Sequence, residues 1–249
     1  MLVRFAKQTD WGYSKMQGEL KKLGFGYVPR TTIQNNLKRE GIDPGPGRGP
    51  TLWDDFIARH AETLWAVDFL SVKAWTPKGL RQMHLLAFVQ VETRQVWVSP
   101  CTLHPTKDWV AQQARNFLMH VESTGLPGDL LLRVRDGKFA PIFDIILETS
   151  GIDVKVLPVR SPNLNAFAER FAQTIKHECL NHFVILGHKH LDYLMATFVD
   201  YYHTQRPHQS KENKPLLRLT ESPPPNPDGE VLCEERLGGL LKHYYRKAA

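Results

Sequence analysis

Three acidic side chains stand where they could act together on a phosphate group. Asp68 is the single charge in a long apolar run, Asp136 follows a second apolar run, and Glu169 lies early in a helical pattern. Carboxylate oxygens are the ligands that Mg²⁺ and Mn²⁺ prefer. Two such ions about 3.5–4 Å apart can activate an attacking oxygen and stabilise the leaving oxygen of an in-line displacement at phosphorus. These residue types therefore predict a metal-dependent site for phosphoryl transfer.

The segments around the acids alternate between strand and helix patterns. Residues 64–72 are apolar on both alternating faces, which is typical of a strand in the middle of a sheet. The predicted elements that follow are a hairpin over 83–98 broken near residues 92–94, a helix over 107–121, a strand over 130–135, a helix over 141–149 and a strand over 153–157. This order predicts an α/β fold, a mixed sheet flanked by helices.

A further helix is expected after the polar turn 161–165 and extends to about residue 182. Phe167, Phe171 and Ile175 repeat every four residues and are predicted to face the core. Glu169 and Lys176 are seven residues apart, so at about 100° per residue they share a second face. A last helix should bury one face that carries residues at i, i+3 and i+4 spacing, namely Leu191, Leu194, Met195, Phe198, Val199 and Tyr202.

Proline and glycine divide the chain. Residues 43–50 alternate proline and glycine, and residues 222–228 hold four prolines. We therefore predict four parts: a helical piece over 1–42, a linker over 43–52, a body over 53–221, and a Pro-rich break with a tail over 222–249.

The N-terminal piece is basic. Residues 1–50 carry nine basic and four acidic side chains, a balance of +5, whereas the whole chain has a net charge of +6. Two short helices are predicted, over 14–23 and after Thr31, where Thr31 and Gln34 have capping-box spacing and Gly41 suits the C-terminal cap. This pattern fits either a helix-turn-helix that binds DNA or a plain helical hairpin with a solvated basic face. The candidate DNA contacts are Lys21, Lys22, Arg30, Lys38 and Arg39.

Composition excludes several classes of protein. Among the 249 residues there is no uninterrupted apolar run of about 18, and the N-terminus lacks a signal-peptide pattern, so a membrane span and secretion are not expected. The three cysteines are too scattered for a disulfide framework or a four-ligand zinc site. A metal site built from His182, His188 and His190 is a weaker alternative, because these residues lack paired Cys ligands.

Several motifs together resemble a known family. They are Trp65-x2-Asp68, Arg135-Asp136-Gly137-Lys138-Phe139, Ser161-Pro-Asn-Leu-Asn-Ala-Phe-Ala-Glu169-Arg-Phe, Lys176-His-Glu-Cys-Leu180, Tyr201-Tyr-His-x3-Pro207-His-Gln209, Trp11-Gly-Tyr13 and Leu237-Gly-Gly-Leu-Leu-Lys-His-Tyr-Tyr-Arg246. With these motifs the chain resembles the integrase catalytic core of bacterial insertion-sequence transposases. Leu70 departs from the pattern, since relatives often have Thr there.

The resemblance implies a ribonuclease H-like fold with a DDE triad at Asp68, Asp136 and Glu169. It implies two Mg²⁺ ions per active site, with Mn²⁺ as a substitute, and double-stranded DNA as the partner, both element ends and target. Lys176 matches the basic residue seven positions after the Glu in many members, and with Lys138 it is expected to contact DNA. A homo-oligomer on DNA in a bacterial cytoplasm, at the nucleoid, is also implied.

The expected reaction has two steps that use one site. Water attacks a DNA phosphate in line and frees a 3′-hydroxyl, which then attacks a target phosphate without a covalent protein intermediate. Relatives usually carry additional helix-turn-helix sequence before the point where this chain starts. An alternative therefore stays open, in which the chain is an inactive or truncated remnant that only binds DNA.

Overall fold

A computed structural model provides the structure of the chain, which divides into two units, Met1–Phe56 and Ile57–Ala249. The residues that the structure describes are 1–8, 11–42, 52–158, 165–217 and 229–247. The predicted linker segment 43–50 and the Pro-rich segment 222–228 lie outside these ranges, as does most of the polar turn before Glu169.

Three helices of the N-terminal part surround a small apolar core: α1 (Leu2–Gln8), α2 (Tyr13–Lys22) and α3 (Arg30–Arg39). A fourth helix, α4 (Leu52–His60), precedes the first strand. Met16 and Leu20 on α2 and Ile33 and Leu37 on α3 are buried together. The two predicted helices are thus confirmed, and α1 is an addition that its short sequence did not indicate.

The start of α3 differs from the prediction. The helix begins at Arg30 with Pro29 at the N-cap, and no side chain caps it, so Thr31 lies inside the first turn and the capping box was wrong. Proline fixes its own φ, and the helix starts two residues earlier than the Thr pattern suggested. Gly41 has a left-handed φ of 66° just after the helix, as predicted for the C-terminal cap.

The second unit contains a five-stranded sheet in the order β3-β2-β1-β4-β5. The strands are β1 (Leu64–Thr76), β2 (Gly79–Gln90), β3 (Val96–Val98), β4 (Leu130–Arg133) and β5 (Asp153–Val156). β1, β2 and β3 pair antiparallel, whereas β4 and β5 run parallel to β1. The predicted mixed sheet is confirmed, and this is the ribonuclease H-like arrangement that the resemblance implies.

Strand β1 lies in the middle of the sheet because both of its faces are apolar. Trp65 and Val67 belong to one buried cluster, where Phe88 of β2 stacks on Phe117 with ring centroids 4.1 Å apart. Residues that alternate with Trp65 and Val67 point to the opposite face of the sheet. Asp68 is one of them and is half-buried.

Among the described residues, four helices flank the sheet: α5 (Lys107–Thr124), α6 (Pro141–Thr149), α7 (Ala166–Glu178) and α8 (Gly187–Thr204). Helices α5 and α6 contribute to the cluster around Trp65, and α7 and α8 both contact β1. The helix that the sequence extends to about residue 182 ends at Glu178, and a short 3₁₀ turn over Leu180–His182 follows it. On α8 the predicted buried residues are confirmed except Val199, which is only half-buried.

The C-terminal tail forms a two-stranded antiparallel hairpin. Its strands are β6 (Val231–Arg236) and β7 (Leu241–Arg246), which the sequence did not predict. Among the described residues, no helix has the length and hydrophobicity needed to cross a bilayer.

Candidate active site

The three predicted acids are brought to one region of the sheet. Asp68 lies on β1 one residue after Val67, which is opposite Arg133 at the end of β4. Asp136 lies in the turn three residues after Arg133, and Glu169 lies in the first turn of α7, a helix that contacts β1. The connections between these elements therefore bring together residues that are far apart in sequence.

The pKa of Asp68 depends on burial and on the charged side chains near it. Its pKa is raised to about 6, mainly by burial and also by the negative charges of Glu169 and Asp136. The backbone N–H of Phe69, which donates to Oδ1 at 2.8 Å, acts in the opposite direction. Like charges that interact in this way make ionisation of the group harder. The three carboxylates thus lie near enough for each of the other two to act on Asp68.

Asp136 is held by Lys138. The Lys138 Nζ lies 2.7 Å from Oδ2, and the Lys138 backbone N–H donates to Oδ1 at 2.9 Å. Burial alone would raise the pKa of Asp136, but these hydrogen bonds and the charge of Lys138 outweigh it and lower the pKa. Lys138, predicted as a DNA contact, therefore pairs with a site acid in this structure, with its ammonium also 5.1 Å from the Phe69 ring centroid.

Asn165 connects α7 to the central strand. Its side chain is 1% exposed, and Nδ2 donates to the carbonyl of Val67 at 3.4 Å, next to Asp68 in the chain. Its Oδ1 is buried with no hydrogen-bond partner among the described residues. The sequence indicated Asn165 only as part of a polar turn, and the structure makes it a positioning residue between Asp68 and the helix of Glu169.

His84 is a neighbour of the site that sequence reasoning missed. It is opposite Ser71 on the paired strands, with Nδ1 2.9 Å from the Ser71 hydroxyl. Burial lowers its pKa, and the charge of Lys138 lowers it further, whereas Asp136 raises it. Only the register of β1 against β2 shows this proximity, since no sequence spacing links the two residues to Asp136.

The carboxylates match a hard divalent cation in chemistry, but the described residues contain no group of three His, Cys, Asp or Glu side chains placed to hold one ion. Neither Asp68 nor Glu169 forms a salt bridge within the described ranges, whereas Asp136 does. The Lys138 ammonium is a cation already bound at one of the acids, which shows that this position accepts positive charge. A divalent ion shared by the three acids would have to replace it.

The described part of the chain also gives no support to a metal site at His182, His188 and His190.

Replacing Asp68 with Asn should raise the melting temperature of the metal-free protein above pH 6. The folded pKa of about 6 exceeds the ordinary value of 3.8, so the folded state binds more protons than the unfolded state between these values. Stability then falls as the pH rises from about 4 to 6, and an amide avoids that loss. Thermal melts from pH 3.5 to 8 measure the difference in melting temperature between the variant and the wild type. A difference that is equally large at pH 3.5 would show that the ionisation of Asp68 is not its cause.

The remaining predicted residues take different positions. Lys176 is exposed on α7 and forms no salt bridge with Glu169 among the described residues.

Phe167, predicted to face the core, is half-buried, and the guanidinium of Arg94 lies 4.2 Å from its ring centroid, so that prediction was wrong. Ala168 takes the buried position beside Phe171 and Ile175, because the core-facing stripe of α7 is turned away from residue 167. The five basic candidates of the N-terminal part are all exposed: Lys21, Lys22, Arg30, Lys38 and Arg39.

Comparison with known proteins gives one family match and several similar structures. The family model of the integrase core domain matches residues 150–215, a segment that contains Glu169 and Lys176. No curated protein matches the chain.

Three of the solved structures that are similar to this chain are the following. A chain of the simian T-cell lymphotropic virus intasome, solved with the PP2A regulatory subunit B56 gamma, is 12% identical with a TM-score of 0.48, covering 75% of this chain and 67% of that one. The HTLV-2 integrase catalytic core domain, solved with magnesium, is 16% identical with a TM-score of 0.47 and coverages of 62% and 93%. The catalytic domain of the Mos1 mariner transposase is 12% identical with a TM-score of 0.49 and coverages of 59% and 77%.

The family match bears on the resemblance seen in the sequence. It begins at residue 150, so it includes α7 with Glu169 but neither Asp68 nor Asp136. The mixed sheet supplies the fold in which such a helix is expected. Residues 150–215 are thus similar in sequence to an integrase core domain, and they lie in the unit that contains the mixed sheet.

Proposed function

We propose that this protein is a DDE-type transposase of a bacterial insertion sequence, which cleaves element ends and joins them to target DNA. The observation that carries the proposal is the placement of Asp68 on β1, Asp136 after β4 and Glu169 in the first turn of α7, near enough that the charges of Glu169 and Asp136 both act on Asp68. Three acids that interact at one edge of such a sheet, together with the integrase core match, support phosphoryl transfer more than any other chemistry.

Each residue of the site has a proposed role. Asp68, Asp136 and Glu169 would hold two Mg²⁺ or Mn²⁺ ions, which when bound stabilise charge on the attacking and leaving oxygens. Asn165 keeps α7, and with it Glu169, against β1 through the Val67 carbonyl. Lys138 would leave its ion pair with Asp136 and bind a DNA phosphate instead. Lys176, which is exposed, would contact the DNA strand that lies beside Glu169.

The proposed partner is double-stranded DNA, and the protein would act as a homo-oligomer on it. The direct test incubates the protein with Mn²⁺ or Mg²⁺, labelled duplexes that carry the flanking element ends, and a target plasmid. We expect nicks that leave a 3′-hydroxyl and joined products, both of which disappear in excess EDTA. Products that persist in EDTA, or none with either metal at saturating DNA, would contradict the proposal.

A second candidate function is supported by the geometry around Asp136. Its ion pair with Lys138 and the lack of a three-ligand group among the described residues suit a remnant that binds DNA without cutting it. Divalent-metal titration followed by calorimetry separates the two functions, because a remnant that only binds DNA needs no metal at Asp68 and Glu169.

Deleting residues 1–42 should flatten the plot of the logarithm of DNA affinity against the logarithm of salt concentration. The exposed basic side chains of this part are expected to neutralise phosphates, and the slope becomes shallower by about 0.9 for each phosphate that is no longer neutralised. Fluorescence anisotropy from about 50 to 300 mM salt measures the slope. An unchanged slope in a deletion protein that still melts cooperatively would mean that the N-terminal part has another role.

A further inference from the structure

A cavity of about 780 Å³ lies beside α7, and Glu169 is not among the described residues that line it. The side chains that do line it come mainly from α7, from the turn after β2 and from the segment 206–213, with Val89 of β2 and Tyr202 of α8. Many of the lining side chains carry hydrogen-bonding groups. The motif Tyr201-Tyr-His-x3-Pro207-His-Gln209 thus contributes a wall to a cavity that the proposed chemistry does not use.

Arg94 lines this cavity and has a guanidinium nitrogen without a hydrogen-bond partner among the described residues. Its Nη1 is buried and has no hydrogen-bond partner among the described residues, while its guanidinium lies over the Phe167 ring at 4.2 Å. Arg94 also has a left-handed φ of 66° in the turn between β2 and β3, a conformation that favours glycine. Burying a charged group that forms no ion pair costs free energy, and an anion in the cavity would offset this cost through its attraction to the guanidinium charge.

The charges of the cavity favour an anion. Glu178 is the sole carboxylate among the described lining residues, and Arg206 already pairs with it through two bonds of 2.6 and 2.8 Å. Arg94 and Arg170 form no salt bridge within the described ranges. The cavity therefore keeps two cationic side chains that are not neutralised, surrounded by neutral donors such as Gln173, Thr174 and Ser210.

We propose that this cavity binds a phosphate group of the DNA backbone, with Arg94 and Arg170 as its charged contacts. The inference rests on the proposed function, because Glu169 would place a DNA strand beside α7. Gln173, four residues after Glu169, lies within about 40° of it around the helix and lines the cavity, so a strand at Glu169 can continue to it. Arginine together with amide and hydroxyl side chains is the usual set of contacts to DNA phosphates, which favours DNA over an acidic peptide.

The test measures the salt dependence of DNA binding by the full-length protein with Arg94→Gln, Arg170→Gln and Arg115→Gln. Arg115 is an exposed residue of α5, on the opposite side of the sheet, and it provides the control with the same loss of charge. Each cavity variant should lower affinity about tenfold at low salt and reduce the slope by about 1, and Arg115→Gln should change neither. Arg170 is exposed on a helix surface, so its variant keeps the test valid if Arg94→Gln folds poorly.

Two competitors separate the sources of the anion. The first competitor is inorganic phosphate. If the wild type binds it, both variants fail to bind it and their affinity for DNA is unchanged, the cavity is a site for free phosphate and the proposal is overturned. A polyglutamate peptide that binds wild type but not the variants, again with DNA affinity unchanged, would overturn it in favour of a protein partner.

Strand-joining assays distinguish a failure of the cavity proposal from a failure of the proposed function. If the wild type joins DNA and both variants bind DNA with its slope, the cavity proposal alone fails. If the wild type never joins DNA but both variants lose slope, the cavity still binds DNA and the enzyme assignment fails.

Discussion

Asp68→Asn, Asp136→Asn and Glu169→Gln should each lower the rates of DNA nicking and joining by about 10³-fold or more. Each change keeps the shape of the side chain but removes a charge that the divalent ions need for neutralisation. Asp68 already interacts with the charges of the other two, so the loss of any one acid changes the field at a shared position. Rates from single-turnover gels with labelled element ends, at saturating DNA, measure the effect.

The control for these variants is Glu148→Gln, which removes an exposed carboxylate from α6. It should retain the wild-type rate, and all four proteins should melt cooperatively and bind DNA. Asp136→Asn is the most stringent test of the triad, because the carboxylate of Asp136 pairs with Lys138 in this structure. Substantial joining by Asp136→Asn in Mg²⁺ would remove this residue from the triad and leave only Asp68 and Glu169 assigned.

Replacing Arg133 with Met should lower the free energy of unfolding by about 3 kcal/mol. Arg133 ends β4, three residues before Asp136, and donates through Nε and Nη2 to both oxygens of Asp144 at 2.7 and 2.5 Å. The two side chains are 10% and 20% exposed, so removing one leaves the other charge partly buried and unpaired. Urea unfolding followed by tryptophan fluorescence gives the difference in free energy.

The double variant Arg133→Met with Asp144→Leu should recover most of this loss, because a buried ion pair can be exchanged for apolar packing at little cost. Lys155→Met, which breaks an ion pair with Asp153 whose side chains are 55% and 57% exposed, is the control and should cost less than about 1 kcal/mol. A double variant as unstable as Arg133→Met would show that the arginine stabilises β4 through contacts other than Asp144, for example with Phe139.

Much of the framework could be predicted without coordinates because it depends on local patterns. The apolar run 64–72 indicated a central strand, and the structure places β1 between β2 and β4. Alternation of strands and helices predicted the mixed sheet, since strand periodicity of two and helix periodicity of 3.6 are readable in short windows. Asp68 and Glu169 were found in the same way, as charges that interrupt or open such patterns.

The sequence by itself thus determined the order of elements, the mixed sheet and the positions of the acids on the central strand, after a second strand and in the first turn of a helix. Tertiary structure alone decided which side chains meet: Lys138 at Asp136, Asn165 at Val67, His84 at Ser71 and Arg94 at Phe167. The spacing of Phe167, Phe171 and Ile175 marked a helix but not which of them reaches the core. Except for Lys138, these partners are 13 or more residues apart in sequence. Strand register and the rotation of α7 against β1 therefore set their contacts, and no local pattern encodes either.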